Sequence, residues 1–232
     1  GCTGLNSISI PESVTSIGNT AFYGCTNLSS IEILNKGVGL GENALVNTAW
    51  YNSQSDGLVY LLDTIFYRYK GTIPENEVVI IKAGTKRIAG YAFKDCANQY
   101  SVVFPDGLTT IDGHSFYGST GLTAVDIPES VNKIGEYSFY GCTSLESVVL
   151  PDDLTTIERS VFSGCSNLIS VILPDDVTTI DYEACSGCSS LTGITIPDGV
   201  TSIRSGAFMD CANLVSITIP SGVTTIESST FS

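Results

Sequence analysis

The chain has 232 residues and a net charge of −14, with 24 acidic against 10 basic side chains. That balance disfavours nucleic acid, whose phosphates are met by clustered Lys and Arg, and equally disfavours docking on an anionic membrane. No apolar run approaches the ~18–20 residues needed to span a bilayer.

A length of this order suggests one or two ordinary domains, but a repeat overrides that prior. Units open at Cys2, Cys25, Ile73, Cys96, Ser119, Cys142, Cys165, Cys188 and Cys211. Each reads as C-x-x-L-x-S-I-x-I-P-x-x-V-T-x-I-x-x-x-A-F-x-G over 23 residues, with one interruption at 48–72. Self-similarity at a period of 20–29 residues, with leucine-like residues at fixed offsets, is the signature of a leucine-rich-repeat solenoid. The expected architecture is one curved solenoid over 1–232, β-rich with short 3₁₀-like turns. It opens and closes inside a repeat without polar caps, as a fragment of a longer array would.

Within each unit, L-x-S-I-x-I alternates with period 2 and is β-branched, so it reads as a strand. In the unit at Cys142, alternation points Leu145, Val148 and Leu150 inward and Ser147 and Val149 outward. Copies at 8–10, 31–33, 102–104, 125–127, 148–150, 171–173, 194–196 and 217–219 are expected to stack ~4.8 Å apart as one continuous parallel sheet. A Pro follows (Pro11, Pro105, Pro128, Pro151, Pro174, Pro197, Pro220) and, lacking an N–H, ends the ladder. The V-T-x-I segment is a second, short extended stretch on the opposite side. The A-F-x-G segment is a tight turn whose Phe (Phe22, Phe93, Phe116, Phe139, Phe162, Phe208, Phe231) forms a buried column.

Unit two is degraded, with Leu40 and Leu45 in the Ile and Phe slots, and 48–72 then leaves the pattern. Residues 58–62 and 65–69 alternate on either side of Asp63-Thr64, which reads as a β-hairpin. The only Trp, Trp50, and four of the eleven Tyr (Tyr51, Tyr60, Tyr67, Tyr69) lie in this insert. A hairpin alone is marginal in water, so it must dock on the solenoid. Trp50 is expected to plug the gap of the missing coil. Tyr60, Tyr67 and Tyr69 are expected to form a partly exposed group, since tyrosine offers contact area at low entropic cost.

The 23-residue unit with I-P-x-x-V-T-x-I and A-F-x-G-C resembles the BspA-like leucine-rich repeats of bacterial surface proteins. The insert, with N-T-A-W-Y-N at 47–52, G-L-V-Y at 57–60 and Y-K-G at 69–71, is similar to a module recurring in that family. The resemblance implies an extracellular or cell-surface segment of a larger protein, associated with adhesion and partner binding. It carries over no catalytic residue and no cofactor.

Reactive groups are few. Seven of the eight Cys share one repeat slot, where Thr48 and Ser119 stand elsewhere, so the slot reads as a small buried residue and the thiols as reduced. Cys185-Ser186-Gly187-Cys188 matches a redox spacing, but Cys185 stands in the Phe slot beside an ordinary ladder Cys. His114, the single His, is expected to face solvent in a turn, which excludes a multi-histidine metal site. Glu12, Asp106, Glu129, Asp152, Asp153, Asp175, Asp176 and Asp198 follow the Pro and line one edge. Calcium wants 6–8 oxygens from a shaped loop, so these read as solvated turn residues rather than as a metal site.

The outward strand column reads Ser9, Glu32, Ile80, Val103, Asp126, Val149, Ile172, Thr195, Thr218. Its apolar members, Val103, Val149 and Ile172 among them, join Tyr60, Tyr67 and Tyr69 as candidate partner-binding residues. The sequence thus points to a non-enzymatic binding or adhesion module for a protein or glycan, without cofactor or metal. The alternative is a passive spacer in a larger surface protein.

Overall fold

Each coil of the chain turns through three sides. In the computed structural model, which describes residues 1–232, the chain is a β-solenoid of about nine turns, and its one helix is the short Ala49–Asn52. The first side carries strands whose register is the repeat itself. Ser147, Val148 and Val149 pair in parallel with Ser170, Val171 and Ile172, residue for residue. Alternation then buries Val148 and Val171 and turns Val149 and Ile172 outward. The second side carries two-residue strands, as in the ladder of Thr156–Ile157, Thr179–Ile180 and Ser202–Ile203.

On the third side, A-F-x-G runs as linked turns and not as a helix. Two residues per coil stand in the left-handed region here and interrupt helical propagation. Tyr91, His114, Tyr137, Ser160 and Glu183 have φ between +50° and +62°, and Asp95, Gly118, Gly141, Gly164 and Gly187, which close the segment, have φ between +57° and +75°. The N–H groups freed in this way reach forward to the next coil. Phe93 donates to the Ser115 carbonyl at 2.7 Å, Phe116 to Ser138 at 2.7 Å and Phe139 to Val161 at 3.0 Å.

The aromatic column is real but segmented. Phe93, Phe116, Phe139 and Phe162 stack with centroids 4.7, 5.0 and 5.7 Å apart, and Phe66 of the insert extends the column at 4.9 Å from Phe93. Buried Cys185 fills the next slot, and Phe208 stacks on Phe231 beyond it at 5.8 Å. The repeated Cys slot has a second requirement besides size. Cys142, Cys165 and Cys188 each direct a thiol to the carbonyl of Phe116, Phe139 or Phe162 at 3.3, 3.1 and 3.2 Å, and the Ser119 hydroxyl does the same toward Phe93. All eight Cys are free thiols. A small hydrogen-bond donor serves here, and a cross-link is not needed.

The first-side sheet is not continuous, contrary to expectation. Ser7–Ile10 pairs with Ser30–Ile33; Glu77–Ile80, Tyr100–Val103 and Leu122–Asp126 form a second ladder; Ser147–Val149 and Ser170–Ile172 form a third. Residues 194–196 and 217–219 form no strand, and their coils meet through a single bridge, Gly193 to Ser216. The insert separates the first ladder from the second. A bulge between Leu122 and Ala124 adds a residue, which bends the strand where pairing with Ser147–Val149 would begin. The core divides at the insert as well, into a cluster of 13 buried residues that joins the first coils to one face of the insert and one of 42 that joins Phe66 to the later coils.

Candidate ligand-binding sites

The insert is built as a wedge. Gly57–Leu61 and Ile65–Lys70 pair antiparallel around the three-residue loop Leu62-Asp63-Thr64, in which Leu62 and Asp63 stand at φ +54° and +58°. Ile65 and Phe66 pair in parallel with Arg87 and Ile88, so the hairpin joins the second side in a five-stranded sheet. Both of its faces are apolar. Val59, Leu61, Ile65 and Tyr67 bury in the smaller cluster, while Phe66 buries in the larger one with Leu58, Tyr60 and Tyr69 packed against it.

This arrangement overturns the expected exposure of Tyr67. The residue is 3% exposed, because the second solenoid coil covers it. Its ring lies 6.1 Å from those of Trp50 and Tyr51, and its hydroxyl accepts the Leu45 N–H at 2.9 Å. Burial pushes its phenol up to about 12. Tyr67 is therefore unavailable to a partner. Tyr60 is half-buried and similarly engaged, its hydroxyl accepting the Lys82 N–H at 2.9 Å. Lys82 stands where most coils have Pro, so it carries an N–H that needs an acceptor. Trp50 is half-buried against the smaller cluster, its backbone N–H donating to the Leu28 carbonyl at 2.8 Å. The Lys70 ammonium reaches the carbonyls of Tyr51 and Asn52 at 3.4 and 3.2 Å and that of Gln54, at the end of the short helix.

The second hairpin strand reaches the third side only in part, with Phe66 on the Phe column and the Tyr69 N–H donating to the Ala92 carbonyl at 3.0 Å, so the missing coil is incompletely filled. A cavity of about 340 Å³ remains there. Val46 and Tyr51 line it before the gap and Lys94 to Asn98 after it, with Arg68, Tyr69 and Ile73 between. Lys94 spans the gap to pair with Glu42 at 2.7 Å. Arg68 donates to the Asn43 side-chain oxygen at 2.6 Å and has no carboxylate partner. Burial raises the Tyr69 phenol and pushes the nearby Cys96 thiol up to about 11. Tyr69 is thus the one candidate tyrosine that lines an open cavity.

A second aromatic group escaped the sequence reading. On the third side His114 is stacked between Tyr91 and Tyr137, each centroid 4.9 Å away, and Tyr117 stacks on Tyr140 at 4.8 Å. His114 is half-buried rather than solvent-facing, and desolvation lowers its pKa. The signal was present in the 23-residue spacing of 91, 114 and 137 and of 117 and 140. Ring faces inside this stack are covered by their neighbours. Lys94 lies over Tyr91 at 5.7 Å and the Arg159 guanidinium over Tyr137 at 5.9 Å. With all five residues half-buried, the stack is a scaffold for the third side more than a stacking platform.

Val103, Val149 and Ile172 stand on the first side, 45, 55 and 58% exposed, in one column with Ile80 at 64%. They lie on strands of a different side from the hairpin, so the structure does not merge them with the tyrosines into one site. No group of three or more His, Cys, Asp or Glu side chains is placed to share a metal ion. No helix is long and apolar enough to cross a membrane.

Comparison with known proteins accords with this architecture. A leucine-rich-repeat protein from Eubacterium ventriosum is 21% identical, with a TM-score of 0.69 over 97% of this chain and 82% of that one. A leucine-rich cell surface protein from Faecalibacterium prausnitzii is 25% identical, with a TM-score of 0.53 over 93% of this chain and 60% of that one. A pneumococcal vaccine antigen is 21% identical, with a TM-score of 0.56 over 88% of this chain and 64% of that one. No curated protein sequence matches. The family described as "BspA type Leucine rich repeat region" matches residues 1–70, 63–192 and 178–232 in six copies. With its whole length matched, the chain belongs to the BspA-type leucine-rich-repeat family.

Proposed function

We propose that the chain is a non-enzymatic binding module, secreted or displayed on a cell surface, that engages a protein through the first side of its solenoid. The observation that supports this is the outward column of Ile80, Val103, Val149 and Ile172, 45–64% exposed. Strand propensity does not require these residues. Ser9 and Glu32 hold the same column in the paired strands Ser7–Ile10 and Ser30–Ile33, and Asp126 holds it in a paired strand between Val103 and Val149. Aligned apolar side chains left in water mark interaction surfaces. Acidic residues of the Pro turns, Asp106, Glu129, Asp152 and Asp175 among them, flank the column. The partner that fits has an apolar strip with a basic rim, and complementary charge would speed its approach. Surface display is supported by the Faecalibacterium prausnitzii relative, itself described as a cell surface protein.

A passive spacer is the second reading, favoured by the plain Ser and Thr at both ends of the column. One experiment separates them. Extracellular proteins with basic surfaces are immobilised and titrated with the chain and with the triple variant Val103→Thr, Val149→Thr, Ile172→Thr. The binding reading expects saturable binding that weakens with salt and falls about tenfold or more in the triple variant, roughly the loss of a hot spot, with melting unchanged. Saturable binding to no member of the panel, or unchanged binding by the variant, would leave the spacer.

A further inference from the structure

We propose that the cavity beside the insert is a binding subsite for a carboxylated sugar residue, of the uronic or sialic acid type, with Arg68 holding the carboxylate. It uses residues separate from the first-side column and stands or falls apart from the reading above.

The polar side chains of the hairpin are almost all committed. The Tyr60 and Tyr67 hydroxyls take backbone N–H groups, and the Lys70 ammonium takes backbone carbonyls. Arg68 and Tyr69 are the exceptions. A guanidinium has five N–H donors, and one of Arg68's nitrogens bonds the neutral Asn43 amide while none pairs with a carboxylate. That is unexpected where acidic side chains outnumber basic ones 24 to 10. The Tyr69 hydroxyl has no protein partner either, although its ring packs on the core. Adjacent strand residues normally face opposite ways. Arg68 and Tyr69, adjacent at the end of the strand beyond the bulged Tyr67, nevertheless both line the cavity.

Size and lining narrow the ligand. A volume of about 340 Å³ is at the small end of ligand sites, with room for one ring more readily than for a folded peptide turn. Arginine meets a carboxylate in a planar, two-pronged contact. Asp95, Asn98 and Thr72 also line the cavity and offer acceptors and a donor to several hydroxyls. Asp95 would accept from sugar hydroxyls yet repel the further carboxylates of an acidic peptide. Val46, Ile73 and Ala92 line the cavity with Tyr51 and Tyr69 and give it apolar wall for the carbon face of a sugar.

The test is calorimetric titration of the intact chain with four probes: glucuronate, N-acetylneuraminate, glucose, and a capped Glu-Glu peptide. At least one acidic sugar should bind saturably, with glucose at least tenfold weaker and the peptide silent. Arg68→Gln should weaken the acidic sugar about tenfold or more, as removal of a charge-assisted hydrogen bond does, and Tyr69→Phe should weaken it measurably, both with native melting. Should Arg68→Gln fail to fold, Tyr69→Phe decides alone. Neither acid binding, glucose binding equally well, the peptide binding in place of the sugars, or unchanged affinity in the folded variants would each overturn the proposal. Loss of the first-side column by the triple Thr variant should leave this titration as it was.

Discussion

The Tyr67 hydroxyl accepts the Leu45 N–H at 2.9 Å, 22 residues along the chain. In intact coils the acceptor at that spacing is a backbone carbonyl, as when Phe22 donates to Ala44 at 2.9 Å or Phe93 to Ser115 at 2.7 Å. Residue 67 thus keeps its place in the count. With the chain diverted into a hairpin, a phenol supplies the oxygen that a peptide group supplies elsewhere. The insert is a stitched-in substitute for one coil, and its tyrosines close the hydrogen-bond ladder on either side.

Tyr67→Phe should therefore destabilise the chain by about 1–3 kcal/mol, the cost of leaving a buried N–H unpaired. Urea unfolding followed by circular dichroism measures it. Tyr69→Phe, whose hydroxyl has no protein partner, should change stability by less than about 0.5 kcal/mol, as an uncommitted surface group does. Equal losses from the two would show that the Leu45 bond does not matter.

Stability should also fall in alkali, with a definite window. The folded phenol of Tyr67 titrates at about 12 against 10.0 for the free side chain, because burial disfavours the phenolate, and Tyr100 is raised for the same reason. Below pH 10 both folded and unfolded chains hold these protons, and the stabilisation is complete. Between pH 10 and 12 the unfolded chain releases them first, so unfolding becomes easier as pH rises. Denaturation midpoints measured from about pH 8 to 11.5 should begin to decline near pH 9, where the buried Cys96, Cys142 and Cys211 thiols, raised from a free value of 9.0, start to count. The decline should steepen above about pH 10 as the tyrosines join them, and in Tyr67→Phe the steepening should be shallower.

The Cys ladder gives a third expectation. The Cys165 thiol donates to the Phe139 carbonyl at 3.1 Å in a fully buried slot. Cys165→Ser keeps size and donor, as Ser119 does in its own coil, and should cost less than about 1 kcal/mol. Cys165→Val adds bulk, removes the donor and should cost about 1–3 kcal/mol through overpacking. Thermal unfolding under reducing conditions ranks the two, and a Val variant as stable as the Ser variant would mean the slot asks only for a small apolar group.

The coil was legible in the sequence because its information is periodic. Val in alternation at 148 and 171, Pro at 151 and 174 and Phe at 139 and 162 are each set by local sterics or by burial that recurs every 23 residues. Inward and outward faces followed directly, so Val103, Val149 and Ile172 were correctly turned to solvent. The insert has no such repetition. Alternation told that 58–62 and 65–69 form a hairpin, but not that both of its faces would be covered, because that depends on which coils close upon it. Tyr67 looked like a free aromatic for that reason. Only the tertiary structure decided that Phe66 would complete the Phe column, that Tyr60 and Tyr67 would cap orphaned N–H groups, and that the third side would be left open around Arg68 and Tyr69. Repeat contacts are nearest-neighbour and can be read from one coil, whereas the insert's contacts join residues on either side of a break and exist only once the chain has closed over it.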